Sequence, residues 1–297
     1  MAVGHAKVIL FGEHAVVHGQ PALAAALDVA VRATHRAGPD LHVQLDDLTF
    51  YPDDGTRLGE ALAALLEALN ASETGAVRLS STIPPGAGLG SSAAMAVALA
   101  RHWAPDAGLP AVLGAARKWE CVFHSNPSGV DHTTSAMGGV LRFQRGADPE
   151  FQAVSIRPLP LVIAQVEAGA DTGRMVDGVR DRLRRRPGPL TAALTLLGAC
   201  TREALPALVE GDIDAVGELM DVAHGGLAAI GVSTASLDRA CHIARAAGAK
   251  GAKLTGAGGG GCVIAACQPQ QQAEVAQALE AAGALRVLVT QAGVPSP

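Results

Sequence analysis

The 297-residue chain has no apolar run near the roughly 20 residues that a membrane-spanning helix requires. Its longest, such as Leu159 to Val166 and Ser92 to Ala100, are less than half that length, so no transmembrane helix is expected. The opening residues, MAVGHAKVIL, lack a basic region followed by a long apolar stretch and a small-residue cleavage site, and the expected location is therefore the cytoplasm. Net charge is −5 with a pI near 6.0, which gives no general attraction to nucleic acid or to anionic membrane, and neither is an expected partner. Cysteine is scarce and unpatterned: Cys121, Cys200, Cys241, Cys262 and Cys267 are odd in number and show neither C-x-x-C nor Cys/His metal spacing. They read as small buried apolar residues. The chain also lacks G-x-x-x-x-G-K-[ST] and G-x-S-x-G, which excludes a P-loop and the nucleophile elbow of a serine hydrolase.

What is present is a large apolar fraction, 49% of residues with a mean hydropathy of +0.26, enough for one large core or two medium ones, with two domains the expectation. Residues 7–11 form a β-prone run broken by GEHAVVHGQP. Leu58, Leu62, Leu65, Leu66 and Leu69 fall at helical spacing, and residues 77–82 alternate as a strand does. The segment after Ser92, AAMAVALARHW, is apolar on all sides up to Arg101 and predicts a buried central helix. A further helix is expected over about 110–124, a buried strand at LPLVIAQVEAG, and three or four helices over about 172–247. Strands at GAKL and CVIAAC, a helix over about 269–282 and a last strand at LRVLVTQ complete the chain. Strands and helices that interleave without a strict βα repeat predict α+β, with a domain boundary near 157 separating residues 1–157 from 158–297. The arginine-rich VRDRLRRRP reads as a solvated helix face.

Three segments carry chemistry. In IPPGAGLGSSAA, glycines at 86, 88 and 90 follow Pro84-Pro85 and lead into a helix that begins with Ser91 and Ser92. Bare backbone of this kind lets several N–H groups converge on an anion at the positive end of a helix, and a phosphate is the expected guest. A plain turn with serine caps is the simpler alternative, but it needs only one or two glycines. In KLTGAGGGGCV, five of the six positions 256–261 are glycine, more than a hairpin requires, which implies that something approaches the backbone closely; the same guest is the expectation. Gly256, Gly258 and Gly261 satisfy G-x-G-x-x-G, yet a strand follows where a dinucleotide site needs a helix. The segment WECVFHSNPSGVDHTTSAMGG supplies Glu120 and Asp131, which could serve as a ligand for Mg²⁺ and as a base, although an aspartate just past a turn, taken alone, is more often a cap or turn residue than a catalyst.

KVILFGEHAVVHGQPALAAALD, IPPGAGLGSSAA and KLTGAGGGGCV, in this order, resemble the GHMP kinase superfamily. GEHAVVHG, NPSGVD and SLDRACHIARAAGAKGAKLTGAGGGGC are similar to its mevalonate kinase branch, and the resemblance runs over nearly the whole chain. It implies a two-domain fold, an N-terminal α/β domain like ribosomal protein S5 and a C-terminal ferredoxin-like α+β domain with extra helices. It also implies phosphoryl transfer from Mg-ATP to mevalonate, with a homodimer plausible. Carried over residue by residue, Pro85, Gly86, Ala87, Gly88, Leu89, Gly90, Ser91 and Ser92 would hold the ATP phosphates, and Ser92 with Glu120 would complete the Mg²⁺ shell. Asp131 would be the base, and Lys7 its partner on the transferring phosphate. Glu13, His14 and Thr172 would contact the acceptor, and the cluster containing Gly256, Ala257 and Gly258 would close over nucleotide and acceptor. The first motif departs from the family's Ala-Pro-Gly-Lys, reading Gly4-His5-Ala6-Lys7.

Other readings predict different residues. Homoserine kinases of this superfamily lack the aspartate base, and galactokinases carry an N-terminal sugar signature absent here. A phosphomevalonate acceptor should require more basic residues than Lys7 and Lys253 in the first and third motifs. A catalytically silent relative would have lost charged groups such as Lys7, Glu120 and Asp131.

Overall fold

The structure is a computed structural model and describes residues 2–36, 38, 40–71, 75–84, 86–124, 127–144 and 150–295. Pro85, expected in the phosphate loop, and Ser125-Asn126, expected in a turn, lie outside them. In chain order the first half comprises β1 (Ala2–Phe11), a 3₁₀ turn (Ala15–His18), β2 (Pro21–Arg36), β3 (His42–Leu45), β4 (Leu48–Phe50), α1 (Arg57–Leu69), β5 (Ala76–Ser81), α2 (Ser91–Trp103), α3 (Leu109–Phe123), α4 (Val130–Met137), β6 (Val140–Gln144) and β7 (Glu150–Val154). The second half follows with β8 (Leu159–Glu167), α5 (Thr172–Arg185), α6 (Pro187–Glu210), α7 (Ile213–Ala229), α8 (Ala235–Ala246), β9 (Gly251–Thr255), β10 (Gly261–Ala266), a 3₁₀ turn (Pro269–Gln271), α9 (Gln272–Ala281) and β11 (Arg286–Ala292).

The strands join in one sheet ordered β4-β3-β5-β2-β11-β8-β10-β9, with β1 and β6 also pairing β2, and β7 pairing β6. Among the described strands β3 and β5 pair in parallel and the other pairs are antiparallel, as expected of α+β. The 16-residue β2 is the spine. It pairs successively with β6, β1, β11 and β5, and Ala22 through Leu27 are all buried. Its alanine-rich sequence gave no strand signal, because alanine has little preference for strands; small side chains suit a strand buried on both faces.

The expected central helix is α2, buried along Ala93, Ala94 and Ala96 through Ala100. It lies on β1 and β2 between α3 and α4. β1 and α2 come so close that a Cβ built on Gly4 would lie 2.0 Å from the Ala94 carbonyl oxygen. In the second half α7 and α8 pack on β9, and α9 packs on β8 and β11. By length and composition α6 could cross a membrane, a case the search for continuous apolar runs did not anticipate. Its Leu190, Leu194, Leu197, Ala204 and Leu208 instead lie in the core. On α5, Arg180 and Arg184 pair with Asp177 and Asp181 at the surface, as a solvated face should, whereas half-buried Arg182 donates to the Ile230 carbonyl at 3.4 Å.

Candidate active site

The segment between β5 and α2 brings its three glycines into the left-handed region, with φ of +71° at Gly86, +71° at Gly88 and +75° at Gly90. A Cβ built at Gly86 or Gly88 would meet nothing within 4 Å, so these glycines border open space. Gly90 instead backs on the Lys7 stem, 2.9 Å from its Cγ. The loop's carbonyls point into the protein. Gly86 O accepts from Gln165 Nε2 at 3.2 Å, Ala87 O from the Cys262 thiol at 3.0 Å, Gly88 O from Lys7 Nζ at 3.5 Å and Leu89 O from the Lys7 amide at 2.9 Å. Among the described residues no acceptor takes the N–H of Gly86, Gly88, Leu89 or Gly90. Four bound carbonyls with unspent amides at a helix N-terminus make an anion-binding surface.

The serines do not cap α2. Gly90 is its N-cap, with no side-chain capping bond, and the Ser92 hydroxyl donates to Glu120 Oε1 at 2.7 Å while accepting from Trp119 Nε1 at 3.1 Å. Glu120 is buried on α3, and burial pushes its carboxyl above the usual range, partly offset by the Ser92 hydrogen bond. Among the described residues no group of three or more His, Cys, Asp or Glu could hold a metal; Ser92 and Glu120 set two oxygens side by side at the loop. That suits Mg²⁺, which is commonly held by one or two protein groups while phosphates and water supply the rest.

Lys7 projects from β1 with its side chain 10% exposed, and its Nζ lies 3.4 Å from Asp131 Oδ1. Asp131 stands in the first turn of α4, behind an N-cap glycine at φ +85°, with its side chain 40% exposed. The structure therefore joins Lys7, Asp131, Ser92, Glu120 and the Gly86–Ser92 loop at one locus.

Glu13 and His14 follow β1 after a single residue, Gly12. His14 takes φ +57°, uncommon for a residue with a Cβ and a mark of functional or structural constraint. Its Nε2–H donates to the Ala257 carbonyl at 2.7 Å, and burial holds the imidazole below its usual pKa, so it is neutral near pH 7. Glu13 Oε1 pairs with Lys253 of β9, and Glu13 Oε2 is buried with no hydrogen-bond partner among the described residues. A third tie runs from Thr255 Oγ1 to the Ile9 carbonyl at 2.9 Å.

The third motif thus grips the first, but the reason for its glycines differs from expectation. A Cβ would lie 2.2 Å from Val232 O at Gly258, 2.6 Å from Met175 Sδ at Gly259 and 2.2 Å from Ala168 O at Gly260. At these positions the chain itself makes the close approach. Gly256 faces open space. Met175 and Ala170 bring the start of α5 to this loop; Thr172 there is exposed, with no side-chain hydrogen bond to Glu13 or His14 among the described residues.

Sequence reasoning missed Lys253, Gln165 and Cys262 as parts of the site. A lone lysine within the apolar strand GAKL was a usable signal for the first, since lysine is almost never fully buried unless paired. A cavity of about 710 Å³, lined by Val3, His35, Arg101 and His102, lies at the far end of α2 from Ser91, and none of the site residues named above lines it.

Family models for the GHMP kinases N terminal domain and the GHMP kinases C terminal match residues 57–139 and 204–285. A mevalonate kinase of Thermococcus sibiricus is 35% identical, covering 97% of this chain and 95% of that protein; one of Pyrococcus furiosus is 35% identical, covering 95% and 93%. In structure, the chain is similar to a mevalonate kinase of L. major solved in complex with R-mevalonate, at a TM-score of 0.90 and 26% identity, covering 99% of this chain and 96% of that one.

Proposed function

We infer the reaction and the division of labour among its residues from a single premise, that this chain belongs to the GHMP kinases and, within them, to the mevalonate kinases. It transfers the γ-phosphate of ATP to the 5-hydroxyl of mevalonate, giving 5-phosphomevalonate, a step in making isoprenoid precursors.

The residue roles are our proposal. Phosphoryl transfer needs positioning and charge neutralisation more than covalent chemistry by the protein. The amides of residues 86–92 hold the ATP phosphates, and Pro85, outside the described residues, belongs to the same loop. Ser92 and Glu120 are the groups that would hold Mg²⁺, which when bound neutralises phosphate charge. Lys7 balances charge between the phosphates and Asp131, and Asp131 orients the acceptor hydroxyl and accepts its proton. The transition state is loose, so a weak base that mainly orients the hydroxyl is sufficient. Glu13, His14 and Thr172 line the acceptor side, with Gly256, Ala257 and Gly258 closing over it. The observation that carries this assignment is the Lys7 ammonium, which lies 3.4 Å from Asp131 and 3.5 Å from the phosphate loop's Gly88 carbonyl.

The test is ADP release with Mg-ATP and, in parallel, mevalonate, 5-phosphomevalonate, galactose or homoserine. Turnover with mevalonate alone is expected; turnover with another acceptor would retain the ATP site and overturn the acceptor assignments. We also propose a domain division near residue 157, supported by family models that lie on either side of it, a cytoplasmic location, and a homodimer.

A further inference from the structure

The phosphate loop is held from both halves of the chain. Two of its four carbonyl ties come from Lys7 on β1, and the other two come from Gln165 on β8 and Cys262 on β10. We propose that Cys262 and Gln165 are positioning residues for the ATP-phosphate loop. By turning the Ala87 carbonyl inward, Cys262 leaves the Gly88 N–H of the same peptide group facing the nucleotide, and Gln165 fixes the preceding peptide group, whose Ala87 N–H donates to the Pro84 carbonyl at 3.4 Å.

The geometry gives each tie a definite chemistry. Cys262 is 2% exposed, and burial raises its thiol to about 11, so it remains a neutral S–H donor near pH 7. Ala87 is itself buried, at 8% exposure, so its carbonyl would have limited recourse to water if the thiol were removed. Gln165 is half-buried and reaches the neighbouring carbonyl from the adjacent strand, since Cys262 and Gln165 are register partners in the β10–β8 ladder. One cross-strand pair therefore holds two consecutive peptide groups. With glycine on both sides of Ala87, the unrestrained loop has wide φ/ψ freedom, and rotating a peptide group reverses its N–H along with its carbonyl. An anion site made of amides requires these orientations to be fixed before the ligand arrives.

This inference rests on the loop being the ATP site, so the first readout is Mg-ATP binding by titration calorimetry without acceptor, followed by ADP release with mevalonate. Cys262→Ala should weaken ATP binding and raise the ATP KM by about fivefold, in line with loss of one buried hydrogen bond, while leaving the mevalonate KM unchanged. Cys262→Ser, which restores an O–H donor, should recover most of that loss. Gln165→Leu, at a half-buried position of the adjacent strand, should act in the same direction. Unchanged ATP affinity in both Cys262→Ala and Gln165→Leu would overturn the proposal, as would equal rises in both KM values accompanied by a fall in melting temperature. ATP binding by the parent chain without mevalonate turnover would refute the acceptor reading alone, and the variants' ATP affinities would still decide the loop.

Discussion

The buried pair of Glu13 and Lys253 offers a quantitative test of how the first and third motifs are joined. Lys253 is 0% exposed, the Glu13 side chain is 2% exposed, and Phe11 lies beside the ammonium with its ring centre 6.0 Å away. Water cannot screen either charge. Removing one partner leaves the other uncompensated in the core, which costs about 3–5 kcal/mol, whereas replacing both with neutral groups of similar volume is often neutral or stabilising. Lys253→Met and Glu13→Gln should each lower stability by about that amount, or about 6–10 °C in melting temperature for a chain of this size. The double variant should lose no more than about 1 kcal/mol, so the coupling in a double-mutant cycle should approach the sum of the single losses, about 5–9 kcal/mol. Urea unfolding of the four proteins at pH 7.5 measures it. Single variants within about 1 kcal/mol of the parent, or a double variant as unstable as the sum of the singles, would refute the reasoning. Recovered stability need not recover turnover, because Glu13 is also assigned to the acceptor side.

Asp131→Asn should leave ATP binding nearly intact and lower kcat by on the order of 10²-fold or more; near-normal turnover would remove Asp131 from the mechanism. Gly90→Ala places a methyl 2.9 Å from Lys7 Cγ at φ +75°, so it should displace Lys7 and reduce kcat well beyond Gly86→Ala, whose new Cβ meets nothing within 4 Å. Steady-state kinetics of the two variants side by side decide between steric displacement and a general cost of left-handed backbone. His14 and His224 are both held below their usual pKa, chiefly by burial, so the unfolded chain binds more protons than the folded one once pH drops towards 6.5. Their contribution is therefore flat above about pH 7 and turns unfavourable as pH falls through the unfolded value near 6.5; urea midpoints should be lower at pH 5.5 than at 7.5, and less so in His224→Gln. At His224 burial is the leading cause, and protonation would also cost the bond in which Nδ1 accepts the Leu254 amide at 3.3 Å, since a protonated ring cannot accept there.

Periodicity located α1, α2, α3 and the four helices α5 to α8 because their apolar faces are continuous in sequence. It did not find β2, where alanine fills a strand covered on both sides, or α4, whose eight residues VDHTTSAM include buried His132, Thr133, Thr134 and Ser135 and show no apolar stripe. Within the candidate site, glycine spacing marked the segment 86–90 as special because positive φ at Gly86, Gly88 and Gly90 favours that residue type. The same logic is incomplete for the Gly258–Gly260 cluster: sequence shows that backbone must approach something closely, but not that at these positions the chain itself makes one such approach. Gln165, Cys262 and Lys253 act through partners more than 75 residues away, a separation at which local patterns carry no information.

The placement of β11 bears on the order in which the chain can fold during synthesis. This strand follows every other strand in the chain, yet it sits between β2 and β8, joined to β2 at Ala292–Leu27 and through the Thr290–Asp28 contact, and to β8 along Arg286–Ala292. Until the ribosome has delivered residue 292, β2 and β8 each present an unfilled edge, and the sheet exists as two separate pieces. A stalled or truncated product ending before residue 286 would expose these edges to one another and to other chains. The final strand acts as the closing rung that turns two nascent units into one enzyme.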